Sequence, residues 1–405
     1  METHTLLGTE IDRHYGMDWL RIGAFALLIL YHIGMFFVPW GWHVKADPIV
    51  EWATIPMLFT NGWRLSLLFL VSGYASAAML AKRPALGAFV RGRTARLLIP
   101  LVFGMIVVVP AQPWIELMGK YGYAHGFLHF WREDYFRFGS LHGIVLPTWQ
   151  HLWFVSYLWP YTLALALLLC LPSRLRGAIG ALFDRGFGQA PVLLLVPIGW
   201  IMLRIFWLWP GMEDTHALFD DAPAHWIYFP AFLFGFALLR AKRTWSAIGG
   251  NWGLALALAV IAYAVVAALE WRYPGDTVAP ALAMKAFVAA RAVNAWAMIV
   301  ALLGLADRFW NRDHRWRATL NEAVFPFYIV HQTIIVVVAW YCLRAGLGNG
   351  ASFLVLVAAT TLGCWLFYRI GREIPVLRLL IGLKGWHIAP SPSRGDAASM
   401  PACQN

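Results

Sequence analysis

One histidine and one arginine share a face of the first apolar stretch, Met17 to Trp40, MDWLRIGAFALLILYHIGMFFVPW. The stretch is long and apolar enough to cross a bilayer as a helix, yet it carries Asp18, Arg21 and His32. Ionisable groups are costly inside a membrane and turn toward protein or water. Arg21 and His32 stand eleven positions apart. At about 100° per residue they differ by about 20° around the helix axis and by about 16 Å along it. One face therefore offers a cation near one membrane surface and an imidazole toward the other. A guanidinium suits an anion such as phosphate; an imidazole can take a proton near neutral pH. Asp18, one turn from Arg21, is expected to partner it. The plain alternative makes Asp18 and Arg21 boundary residues and His32 a packing histidine.

Further residues join this pair. Arg93-x-x-Arg96, in RGRTARLLIP, opens the third span and points two guanidiniums one way. Alone they read as ordinary flanking arginines; with Arg21 they suggest a basic pocket for a phosphate-bearing ligand. Ser72, Gly73 and Tyr74, in FLVSGY, put small residues in the second span, for close packing or for a narrow channel wall. No base stands beside Ser72 in sequence, so it is not expected to be a nucleophile. His151 and His331 fit hydrogen-bonded core positions, Arg64 lies near the start of the second span, and Arg291 lies deep enough to need a partner. His125-x-x-x-His129 has metal-like spacing, but its loop brings no third ligand, so no metal site is expected. No HExxH, Walker or GxGxxG pattern is present.

The elements that must position these groups follow from composition. The chain has 405 residues, 60% hydrophobic and 13% charged, with 23 Trp. That composition belongs to an all-α polytopic membrane protein and leaves no sizeable water-soluble domain. The net charge of +11 does not indicate nucleic-acid binding, because the basic residues fall in short stretches beside spans. Among these are Lys82, Arg83, Arg91, Arg93 and Arg96, then Arg174, Arg176 and Arg185, then Arg240, Lys242 and Arg243. The four cysteines, Cys170, Cys342, Cys364 and Cys403, form no CxxC or disulfide pattern. The first apolar stretch reads as a span, not a cleaved signal. The pattern implies about ten transmembrane helices. Connections after the even helices hold about twenty Lys and Arg against about five after the odd ones, which places both termini in the cytoplasm. Residues 1–15 read as a cytoplasmic lead-in, 16–370 as the membrane domain and 371–405 as a cytoplasmic tail. The connection from Lys120 to Trp149 is long, and is expected to be functional or partly helical. No internal repeat of the transporter kind is visible.

Taken together, Arg21-x10-His32, Phe69–Tyr74, Arg93-x-x-Arg96 with Ile99-Pro100, and Phe327-Tyr328-Ile-Val-His331 resemble the membrane acyltransferase-3 family. Trp42-His43-Val44, His151-Leu-Trp-Phe154 and Ile374-Pro-Val-Leu377 resemble its glucans biosynthesis protein C group. The likeness covers about residues 15–385. It implies a multi-pass enzyme of the bacterial inner membrane that moves an acyl group from cytoplasmic acyl-CoA to a hydroxyl of an extracytoplasmic glycan. Succinyl-CoA is the expected donor, with acetyl-CoA the other option; no permanently bound cofactor is implied. His32 matches the family's essential histidine, and Arg21, Arg93 and Arg96 its essential basic positions. Acyl-CoA would then meet Arg21, Arg93, Arg96, Ser72, Gly73 and Tyr74. Asp18, Arg64, His151, Arg291 and His331 would support the site or face the acceptor, with Arg64 and Arg291 candidates for a free carboxylate of the acyl chain. Direct transfer with His32 as general base and transfer through an acyl-histidine both stay open, as does the oligomeric state. A transporter or flippase for an anionic glycan or lipid is the competing class, and a same-family enzyme acting on another glycan the third.

Overall fold

The computed structural model describes residues 14–82, 85–275 and 277–383. The chain folds as helices stacked side by side, with 77% of the described residues helical. In order they are α1 (Tyr15–Gly34), α2 (Thr54–Asn61), α3 (Arg64–Lys82), α4 (Leu86–Phe103), α5 (Ala111–Tyr121), the single turn α6 (Phe127–His129), α7 (Trp153–Leu169), α8 (Ser173–Phe187), α9 (Ala190–Leu203), α10 (Ala222–Leu238), α11 (Lys242–Arg272), α12 (Ala281–Phe309), α13 (Arg317–Arg344), α14 (Asn349–Glu373) and α15 (Pro375–Leu380). Strands β1 (Gly139–Leu141) and β2 (Ile144–Leu146) form an antiparallel hairpin, with Gly139 opposite Leu146. Among the described residues, nine helical segments are long and apolar enough to span a membrane. The tenth apolar helix is α10, 17 residues long, at the short end of what a bilayer requires. The connection after α5 is partly helical, as expected, and closes with the β-hairpin.

Hydropathy marks where a helix enters the membrane, not where its hydrogen bonding starts. Several basic stretches that read as loops are therefore helical. α4 begins at Leu86, so Arg93 and Arg96 lie well inside it and do not open it. Arg174, Arg176 and Arg185 lie on the separate helix α8, and Lys242 begins α11. Arg83, residues 1–13 of the lead-in, and the tail from 384, Cys403 included, lie outside the described residues.

The third span switches to π-helical bonding just before a proline that removes a donor. Gly104–Val108 is a π-helical turn in which Val109 N bonds back to Gly104 O, five residues earlier. That shift leaves Met105 O free, and Pro110 has no N–H for Ile106 O. Both carbonyls find side chains from the following connection: Tyr135 Oη donates to Met105 O at 2.8 Å, and Trp131 Nε1 to Ile106 O at 2.8 Å. Thr333 Oγ1 on α13 satisfies Val108 O at 2.9 Å. The connection and α13 are thus tied to this π-helical turn.

α1 packs against α3, α12 and α13. α3 and α10 cross so closely that no side chain fits between their backbones. A Cβ on Gly73 would lie 1.8 Å from Phe232 O, and one on Gly235 would lie 1.8 Å from Leu70 O. Small residues permit this approach. Gly73 therefore faces α10, and the expected channel wall beside α1 does not include it.

Candidate active site

His32 occupies the last full turn of α1 and remains partly exposed. Its Nδ1 lies 2.8 Å from Nε2 of His331, at mid-length of α13. The two ring planes differ by 9° and their centroids are 5.0 Å apart. His331 is sealed, with 0% exposure. Its Nδ1 meets the carbonyl oxygens of Tyr328 at 2.8 Å and Phe327 at 3.2 Å. His151 packs edge-on to His331 with centroids 5.1 Å apart, and its own Nε2 lies 3.0 Å from Ile329 O. Trp42, in the loop after α1, covers the other side of His32 at 5.5 Å. The Trp42 Nε1–H is buried without a partner.

A cationic pair lies beside this centre. Arg64, 3% exposed, places its guanidinium 3.6 Å over the ring of Tyr31, the residue before His32. Arg64 Nη1 donates to Thr60 Oγ1 at 3.2 Å, and its Nε is buried without a partner. Arg291 Nη2 donates to Asn61 Oδ1 at 2.6 Å, while Asn61 Nδ2 donates to Tyr31 Oη at 2.7 Å. Two guanidiniums thus meet neutral groups around one tyrosine.

At the other end of α1, Arg21, Arg93 and Arg96 lie within electrostatic reach of one another. Arg96 Nε donates to Gly382 O at 3.1 Å, where the chain folds back after α15. Arg93 Nε and Nη2 are buried and have no partner. Asp18, expected to partner Arg21, instead accepts from Arg317 Nη1 at 2.5 Å and from Asn321 Nδ2 at 3.3 Å. Spacing along one helix favoured Arg21; the fold brings a competing guanidinium from α13, itself held at two points by Asp313 at 2.7 and 3.2 Å. Arg21 still feels the Asp18 charge through space. Ser72 is half-buried, and Tyr74 is buried against His14 near the same end.

A buried polar chain extends sideways from the histidines; of its members only His43, in the Trp42-His43-Val44 motif, stood out in the sequence, and its partners did not. Gln332 Nε2 donates to Gln112 Oε1 at 3.0 Å and lies 3.2 Å from His43 Nε2. Gln112 Nε2 donates to Thr333 Oγ1 at 2.7 Å. His43 Nδ1 contacts Glu116 Oε2 at 2.6 Å, and Lys120 Nζ donates to Glu116 Oε1 at 2.7 Å. The available signal was a polar residue inside an apolar run: Gln112 between two prolines, and Gln332 beside His331. In the loop after α1, Lys45 Nζ donates to Met35 O at 2.6 Å, to Trp40 O at 2.9 Å and to Val38 O. Burial, with Lys120 adding, pushes the Lys45 ammonium down to about 8. His125 and His129 face each other at 4.2 Å, away from these groups in the connection after α5. A cavity of 1260 Å³ between α7, α8, α9 and α10, lined by Leu165, Phe183, Trp200 and Phe234, includes none of the residues gathered around His32.

Likeness to known proteins extends over nearly the whole chain. A family model for the acyltransferase domain of the acyltransferase-3 type matches residues 14–369. Glucans biosynthesis protein C of Escherichia coli K12 is 23% identical over 390 residues, covering 92% of this chain and 95% of the relative. The protein of that name from Escherichia coli O81 (strain ED1a) is 23% identical over 392 residues with the same coverage. No solved structure matches significantly.

Proposed function

The chain belongs to the acyltransferase-3 family, and from that premise we propose that this membrane acyltransferase carries an acyl group across the bilayer from acyl-CoA to a glycan hydroxyl. The observation that carries the reading is a shared helix. α1 holds an accessible imidazole at one end and joins Arg93, whose buried nitrogens lack partners, at the other. Three guanidiniums suit the phosphates of CoA. About 16 Å of helix separates Arg21 from His32, a span for the thin pantetheine arm, passing α3 on the side of Ser72 and Tyr74. The thioester then lies beside His32.

There the acceptor oxygen attacks the thioester carbon. A C–O bond forms, the C–S bond breaks, and His32 takes the hydroxyl proton and returns it to the departing thiolate. The products are an ester and free CoA, with no other reactant. General-base help of this kind contributes roughly 10²–10⁴ in rate; alignment of the two substrates supplies much of the rest. The Trp42 Nε1–H offers a donor to the carbonyl oxygen as it gains charge.

Succinyl is the acyl group this reading favours. Its far carboxylate would meet Arg64 and Arg291, whose hydrogen-bond and ring partners around Tyr31 are neutral, with Glu270 in electrostatic reach of Arg291. The acceptor is an osmoregulated glucan in the periplasm, the membrane is the inner one, and the arginine end faces the cytoplasm. Mass spectrometry of periplasmic glucans from a deletion strain tests this. Loss of succinyl esters, restored by the intact gene, is expected; loss of acetyl esters would reassign the donor, and unchanged glucans would overturn the acceptor.

A further inference from the structure

We propose that His331 is a positioning residue that sets the tautomer of His32, so that Nε2 of His32 is the atom that takes the acceptor's proton. The inference rests on His32 being the base, and it starts from groups whose hydrogen-bonding role admits no choice. Carbonyl oxygens only accept. His331 Nδ1 lies 2.8 Å from Tyr328 O and 3.2 Å from Phe327 O. Nδ1 of His331 therefore carries a hydrogen.

His331 is sealed from solvent, and neither of its hydrogen-bonded carbonyls nor its histidine neighbours is an anion. A buried imidazolium there would be uncompensated, so the ring is neutral and its Nε2 holds a lone pair. That lone pair meets His32 Nδ1 at 2.8 Å. The ring planes lie within 9° of each other, and the centroids stand 5.0 Å apart, too far for a face-to-face stack joined by a 2.8 Å nitrogen contact. Ring lone pairs and N–H bonds lie in the ring plane, so the contact runs edge to edge in a bonding geometry. His32 Nδ1 must be the donor. In neutral His32 the remaining nitrogen, Nε2, is then unprotonated. It makes no hydrogen bond to any described residue and is not among the sealed, unpartnered atoms. It is a free, accessible base.

His151 fixes the arrangement from the other side. Its Nε2 faces Ile329 O at 3.0 Å and so donates, and Gln112 Nε2 lies 3.3 Å from its Nδ1. His151 therefore packs on His331 as a neutral ring with both nitrogens engaged, and does not compete for the His331 lone pair.

The consequence is chemical. When His32 accepts a proton at Nε2, the Nδ1–H bond to His331 becomes charge-assisted and strengthens. A neutral imidazole thus does what a carboxylate does in a Ser-His-Asp triad, orienting the base and steadying its cation. It does so without a counter-charge, which leaves the His32 imidazolium readier to return its proton to the thiolate.

Two measurements test this. Solid-state ¹⁵N spectra of the full-length protein, histidine-labelled in lipid, are assigned to His32 by difference against His32→Asn. A protonated Nδ1 and an unprotonated Nε2 are expected; the opposite pattern overturns the proposal, whatever the acyl donor proves to be. Kinetics then separate positioning from packing. His331→Leu should lower kcat by about 10²-fold to 10⁴-fold with the donor KM unchanged. His331→Gln, whose Oε1 can accept from His32 Nδ1–H, should recover at least about tenfold of that loss. A packing role reverses the order, because leucine suits a sealed apolar site better than glutamine. Leucine matching or exceeding glutamine in kcat overturns the proposal. Absence of transfer by the wild-type protein would instead count against the enzymatic reading, leaving the tautomer to the spectra.

Discussion

Replacing Arg93 by methionine should separate binding from folding. Arg93 Nε and Nη2 are buried without partners, and Arg21 and Arg96 lie within electrostatic reach. A buried donor without an acceptor costs about 1–3 kcal/mol, and neighbouring like charges add to that. Methionine is unbranched, adaptable and apolar, so it can fill much of the same space without the penalty. The ligand-free protein should therefore be as stable as wild type, or more stable by about 1–3 kcal/mol. Donor binding should move the other way. A hydrogen bond to a charged group contributes about 1.5–3 kcal/mol, and each 1.4 kcal/mol is about tenfold in affinity. CoA should then bind roughly ten- to a hundredfold more weakly. Thermal unfolding of purified Arg93→Met in micelles, with and without CoA, reads both quantities. The expected pattern is an unchanged or raised midpoint without ligand and a lost upward shift with it. A lowered midpoint with wild-type CoA affinity would make Arg93 a structural residue and remove the phosphate site.

Other perturbations follow from the packing and the charges. Gly73→Ala and Gly235→Ala each drive a methyl to 1.8 Å from a backbone oxygen. Either should lose more than the 1–3 kcal/mol or so typical of overpacking, seen as aggregation in size-exclusion profiles, whereas Ser72→Ala should elute like wild type. Arg64→Ala and Arg291→Ala should raise KM for a succinyl donor about tenfold or more while leaving an acetyl donor unaffected; equal effects on both would place the pair outside acyl recognition. The Lys45 ammonium clamps three carbonyls after α1. Because it loses its proton near pH 8, transfer should fall as pH rises through that value, and Lys45→Met should abolish that limb of the profile.

Much of the fold was legible because a bilayer imposes a length on each apolar run. Nine spans and the shorter α10 emerge from hydropathy alone. The stripe from Arg21 to His32 was legible because both residues sit on one helix, whose periodicity is known in advance. What stayed hidden was lateral. Asp18 was assigned to Arg21 by spacing, but its ion pair comes from Arg317, 299 positions away in sequence. His331 read as a core histidine because nothing local reveals that α13 packs on α1. Gly73 read as lining a slot because a small residue looks alike whether it faces a ligand or a neighbouring backbone. The polar chain that joins His43 to Gln332 and Gln112 stayed hidden because single polar residues in apolar runs carry no partner information. Each omission concerns which helix faces which, and periodicity does not encode that.

Whether the imidazole in α1 performs group transfer is read directly by one experiment. Inside-out vesicles holding wild-type protein or His32→Ala, with glucan in the lumen, receive acyl-CoA labelled in the acyl group, and CoA affinity is measured alongside. Wild type should place the label covalently on luminal glucan, while His32→Ala should bind CoA normally and label nothing. Label appearing at the wild-type rate with His32→Ala, or glucan crossing the membrane unmodified, would contradict it.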